Sequence, residues 1–215
     1  MLSHLLPYLL CVVPAAVGEH LPPHVRAWSD PVAVLLTGAA LVHFARRGAY
    51  GELRPREAPR GATLLALGAG LGVALLWMPL SEIVPRGVGA RAGFHPEAAG
   101  AGAAPILWGS RILGTVLVIP VAEELLVRSL LPRWMDAMDA WRERPVGEFT
   151  RLSAAVSVGF FALTHPEWLA ALATGILWTL LLARTRRLRD VLLSHAAANA
   201  LLAVYWVATG DLSWW

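Results

Sequence analysis

The chain has 215 residues, 57% of them hydrophobic and only 15% charged, with a formal net charge of +3 and a mean hydropathy of +0.57. That is more apolar than a soluble core requires, so the composition excludes an ordinary water-soluble globule and points to an all-α polytopic membrane protein. All 18 basic residues are arginine; the pI of about 9.7 invites a nucleic-acid surface, but the arginines cluster between apolar runs, as membrane orientation requires, and no nucleic-acid partner is expected.

Taken in order, the runs able to cross or nearly cross a bilayer are Leu2 to Val17, Pro31 to Ala45, Ala62 to Leu80, Pro105 to Leu131, Leu152 to Thr164, Trp168 to Ala183 and Val191 to Thr209, which predicts about seven helices. Within the first, Leu5 to Val17 resembles a signal-peptide core. It lacks a basic flank, and Leu10 before Cys11 is not the small residue of a lipoprotein site, so a retained first helix is expected. Cys11 is the single cysteine, which excludes an intrachain disulfide and a Cys-rich zinc site. The Gly-Ala-rich stretch Gly87 to Ala104 carries too many breakers to span and reads as an outer loop or a re-entrant piece.

Arginine placement tests this segmentation independently. Thirteen of the 18 arginines fall in the connections after the second, fourth and sixth runs, against Arg26, Arg86 and Arg91 on the opposite side. The expected topology has the amino terminus inside and the carboxyl terminus outside, in the inner membrane of a bacterium whose Arg-rich, Lys-free composition suggests a GC-rich genome. Trp28, Trp108, Trp134, Trp168, Trp206, Trp214 and Trp215 sit near segment ends, as an interfacial belt would place them. The expected organisation is 1–104 as amino-terminal membrane helices with an outer loop, 105–209 as the core that carries the chemistry, and 210–215 as a short outer tail without a prenylation signal of its own.

Ile119-Pro120-Val121-Ala122-Glu123-Glu124-Leu125-Leu126-Val127-Arg128 sets two carboxylates and an arginine inside the fourth run. A charge at the bilayer centre costs roughly 2.5 to 3.5 kcal/mol on the mildest scales, so the pair is by default a functional-site candidate. Further polar groups lie downstream: His165, four residues after Phe161, and His195, four residues before Asn199. Glu124 with Arg128, Phe161 with His165, and His195 with Asn199 are each i, i+4 pairs, one helix face apiece. Burying those faces together is cheaper than showing them to lipid. Counting rise, Glu124 and His195 lie about 12 and 8 Å from their cytoplasmic helix ends. His165 would lie about 21 Å from Arg151 unless its helix starts late, tilts or kinks.

A desolvated carboxylate beside an imidazole can take a proton from water, and a second imidazole with a carboxamide can donate to an oxyanion, which together suit amide hydrolysis. No GxSxG, HExxH or Cys-His arrangement is present. At these residues the sequence resembles the CAAX prenyl protease 2 family, the type II CAAX and bacteriocin-processing membrane proteases. The family's E-E-x-x-x-R corresponds to Glu123-Glu124 through Arg128, its F-x-x-x-H to Phe161 through His165, and its H-x-x-x-N to His195 through Asn199.

The resemblance covers about residues 105 to 209. It implies an intramembrane endopeptidase in which Glu123 and His165 activate water, His195 and Asn199 stabilise the oxyanion, Glu124 supports the site, and Arg128 pairs with a carboxylate. Phe161 would pack against His165. It also implies a helical bundle with a conical cavity open toward the cytosolic side, and a membrane-associated protein or peptide substrate, lipidated or not. The prenyl-processing members usually have eight membrane helices, against seven here, and the bacterial relatives are tied to peptide processing, bacteriocin immunity or, in one small subgroup, exosortase-type sorting.

Other readings of the same residues stay open. No cofactor is expected, yet His165, His195 and a glutamate also make a three-ligand zinc set. A non-catalytic scaffold or immunity protein would keep the motif for packing, with the Glu124–Arg128 pair merely neutralising charge. A proton-coupled transporter would use the same residue types, but paired broken helices in corresponding halves are lacking.

Overall fold

Where apolar residues run unbroken and proline is rare, the backbone must satisfy itself, and the chain does so by helix. A computed structural model describes residues 1–55, 57–83, 93–100 and 102–210. Arg56, Arg86, Arg91, Trp214, Trp215 and much of Gly87 to Ala104 lie outside the described residues. Seven main helices follow: α1 (Leu2–Gly18), α2 (Ser29–Arg46), α3 (Ala62–Ile83), α4 (104–137), α5 (Arg151–Leu163), α6 (Trp168–Thr185) and α7 (Leu188–Thr209). The described elements contain no strand. Five helical stretches are long and apolar enough to cross a membrane; Leu2–Gly18 and Arg151–Leu163 are apolar but shorter. The protein is an all-α multi-pass membrane protein, and its helices coincide with the seven expected runs to within a few residues.

The described residues divide into two compact units: those of Met1–Ala49, Arg91–Ala122 and Asn199–Trp215, and those of Tyr50–Ala90 and Glu123–Ala198. In the first unit, α1 buries Tyr8, Cys11 and Ala15 and α2 buries Ala33, Val34 and Thr37, and apart from Tyr8 these are small groups that let the two backbones come close. The Thr37 hydroxyl donates to the Pro7 carbonyl at 3.3 Å, satisfying itself inside that contact.

The second unit is built on α3, α5, α6 and the adjoining parts of α4 and α7. Thr150 caps α5 through a capping box with Ser153, and Asp136 accepts from both residues. The helix therefore begins at Arg151, not late. It ends at Leu163 because His165 precedes Pro166, and the residue before a proline is biased away from helical backbone.

Gly70 of α3 meets α7 at its closest point. A Cβ there would lie 2.6 Å from the Ser194 carbonyl oxygen and 3.0 Å from the Ala197 Cβ, so backbone would have to move. Gly70→Val should lower stability by roughly 1 to 3 kcal/mol, whereas Gly72→Ala, whose Cβ meets nothing within 4 Å, should be near neutral. Thermal unfolding of the two variants in detergent checks this.

Candidate active site

Helix α4 is irregular, and its irregularities sit around the acidic pair. It is assembled from Ala104–Leu113, a π-helical Gly114–Val118, Ile119–Glu124, a second π-helical turn Leu125–Leu130, and Leu131–Ala137. Pro120 and Pro132 lie just beyond the two π turns. Each lacks an N–H, which opens the regular ladder next to its π turn. The second turn buries every residue it contains and is locked to α5 where the Ser157 hydroxyl donates to the Val127 carbonyl at 2.6 Å.

Around that turn the second unit gathers six of the sequence candidates, Glu123, Glu124, Arg128, Phe161, His165 and His195. The Glu123 carboxylate faces both imidazoles: one oxygen lies 4.0 Å from His165 Nε2 and the other 3.7 Å from His195 Nε2. Both imidazoles are held from behind. His165 Nδ1 donates to the Phe161 carbonyl at 2.7 Å, and His195 Nδ1 donates to the Glu124 carboxylate at 3.0 Å. A carbonyl oxygen only accepts, so His165 carries a proton on Nδ1, and Nε2 is the ring nitrogen that faces Glu123. The Glu123 and His165 side chains keep 14% and 21% of their surface exposed, whereas Glu124 and Arg128 keep none. Access to solvent or substrate therefore falls to the first pair.

Phe161 and His165 do not share a helix face, because α5 has already ended. Their rings pack at 4.3 Å beside the Nδ1 hydrogen bond, and the turn made by Pro166 aims the imidazole back across the end of the helix. Glu124 and Arg128 form an ion pair at 3.5 Å, too long for a hydrogen bond. The guanidinium lies 4.3 Å over the Phe161 ring and 5.7 Å over that of Trp178, and its nitrogens make no hydrogen bond among the described residues. Arg128 thus holds a buried carboxylate by charge and aromatic faces by cation–π attraction.

Asn199, one helical turn beyond His195, falls in the other unit, where its amide nitrogen donates to the Thr115 carbonyl at 2.8 Å. In the π turn 114–118 the Ile119 N–H reaches back to Gly114. The matching partner for Thr115 would be the N–H of residue 120, which is proline, and Asn199 supplies the missing donor.

Several residues that build the site had no place in the motif. Trp178 stacks on His195 with centroids 4.1 Å apart, and its indole N–H donates to Ser194 at 2.9 Å. Trp77 meets His165 edge-on at 6.0 Å. Both lie inside apolar runs, unlike the belt tryptophans, and that position was the available signal. Glu52, from the connection after α2, accepts from Ser129 and, at 2.9 Å, from Arg133, bracing the far side of the second π turn. Arg133 also lies 4.8 Å over the Trp141 ring. Nothing in the sequence pairs Glu52 with a residue 77 positions away. Among the described residues, no three His, Cys, Asp or Glu side chains are arranged to hold a metal ion.

The segment containing this cluster is also recognisable by comparison. Residues 105–201 match the family model of type II CAAX prenyl endopeptidase, Rce1-like. Those residues are similar to a CAAX protease domain. At the level of the family, this domain is associated with endopeptidase activity at the membrane, and its matched span contains Glu123, Glu124, Arg128, Phe161, His165, His195 and Asn199. No curated protein and no solved structure matches the chain.

Proposed function

We propose that the second unit is the hydrolytic centre of an intramembrane endopeptidase that uses a Glu123/His165-activated water and no resident metal. The observation that carries this is the pairing of two acceptors, the Glu123 carboxylate and the His165 Nε2 lone pair, 4.0 Å apart with both rings anchored from behind. Two acceptors at that spacing suit a water that donates a proton to each, since two hydrogen bonds of about 2.8 Å at the H–O–H angle of water span roughly 4.4 Å. As that water attacks a peptide carbonyl carbon, its oxygen forms the new C–O bond and one proton passes to Glu123. The carbonyl π electrons become the oxyanion. When the C–N bond breaks, the proton is returned to the leaving nitrogen, giving a carboxylic acid and an amine.

His195 stands on the other side of Glu123. In this reading its Nε2 is the nitrogen that donates to the oxyanion, while Glu124 accepts from Nδ1. The resemblance would make Asn199 the second oxyanion donor; within the first unit its amide donates to the Thr115 carbonyl. The substrate is a membrane-associated protein or peptide, prenylated or not, cut near the bilayer. The arginine-rich connections orient the protein with its amino terminus in the cytoplasm and its carboxyl terminus outside, in a bacterial inner membrane, and the cavity opens toward the cytosolic leaflet.

Incubating the purified chain with prenylated and unprenylated membrane peptides, with and without a strong chelator, tests this by product mass. Cleavage that survives chelation is expected. Cleavage abolished by the chelator and restored by zinc would replace the metal-free mechanism with a zinc one.

A further inference from the structure

The first unit contains a groove of about 870 Å³ along α2 and the first half of α4. Its floor is made by Gly38 and Ala39, its walls by Leu35, Val42, Leu113 and Val118, and one end by Arg46 and Arg47. Exposed apolar side chains are ordinary on a membrane protein; what marks this recess is the pair of adjacent arginines at its end. Arg46 and Arg47 are exposed and form no ion pair with a described residue.

Distance adds a second constraint. Gly38 lies eight residues before Arg46, about 12 Å along the helix, close to half of a hydrocarbon core roughly 30 Å thick. A cationic pair at the interface, with a recess of small residues running down one leaflet beneath it, fits a ligand with an anionic head and one long apolar tail. We propose that this groove binds an anionic phospholipid, with its phosphate on Arg46 and Arg47 and an acyl chain lying over Gly38 and Ala39. The proposal is independent of the catalytic reading.

Native mass spectrometry of the full chain, taken from nanodiscs of phosphatidylcholine containing a minority of phosphatidylglycerol, tests it. Wild type should retain phosphatidylglycerol in preference to phosphatidylcholine. Arg46→Gln and Arg47→Gln should each weaken that retention about fivefold. Gly38→Leu, whose Cβ meets no atom within 4 Å and so enters open space, should remove it while the protein stays folded by circular dichroism. Arg184→Gln, at another exposed helix end, should leave it unchanged. Equal retention of the two lipids, retention that survives Gly38→Leu, or loss on Arg184→Gln would each overturn the assignment of this groove.

Discussion

Replacing Glu123 by Gln should lower peptide-bond cleavage by roughly 10² to 10⁴-fold, the usual loss on removing a general base, and leave the protein folded. Gln keeps the shape of the side chain and can still meet the two imidazoles, but it cannot take a proton from water. Because 14% of the Glu123 side chain is exposed and its neighbours are separately anchored, the fold does not depend on its charge. His165→Ala should act in the same direction, since Nε2 is the second acceptor for that water. Product mass from a membrane peptide, read beside circular dichroism and a melting curve in detergent, separates chemistry from folding. Full cleavage by both variants would leave the cluster a packing device, as the scaffold reading holds. A folded Glu123→Gln protein that still performs its cellular role with His165→Ala would say the same.

Arg128→Met should behave in the opposite way and destabilise the protein by roughly 3 to 5 kcal/mol, because it strands a fully buried carboxylate. Among the described residues the Arg128 guanidinium is the one arginine paired with Glu124, and it also covers the face of Phe161. The double variant Glu124→Gln, Arg128→Met should recover part of that loss, since neither partner is then a buried unpaired charge. Unfolding in a denaturing detergent titration measures both. If Arg128→Met alone matched wild type in stability while losing cleavage, the arginine would belong to the chemistry and not to the support of Glu124.

Much of the architecture was readable because a bilayer leaves a chain few options. Apolar runs long enough to hide their backbone became α1 to α7, and arginine clusters marked their ends. The site candidates were readable for the complementary reason that charge in such runs is expensive. Glu123, Glu124, Arg128, His165 and His195 stood out individually, and the structure brings them into one unit. The helical i, i+4 reading failed for Phe161 and His165. There Pro166 ends the helix first, and a side chain to carbonyl hydrogen bond does what the shared face was expected to do.

Composition and spacing by themselves determined the class of protein, the helix count and the residues worth suspecting, because hydrophobic length and misplaced charge are properties of a linear chain. Only tertiary structure decided which ring nitrogen faces Glu123, since that depends on what lies behind each imidazole. It likewise decided that Trp178 fixes His195, that Glu52 braces Ser129 and Arg133 from 77 and 81 positions away, and that Asn199 fills the donor vacancy left by Pro120. Each of those is a contact between distant segments, whose energy depends on a few tenths of an ångström that no one-dimensional pattern encodes.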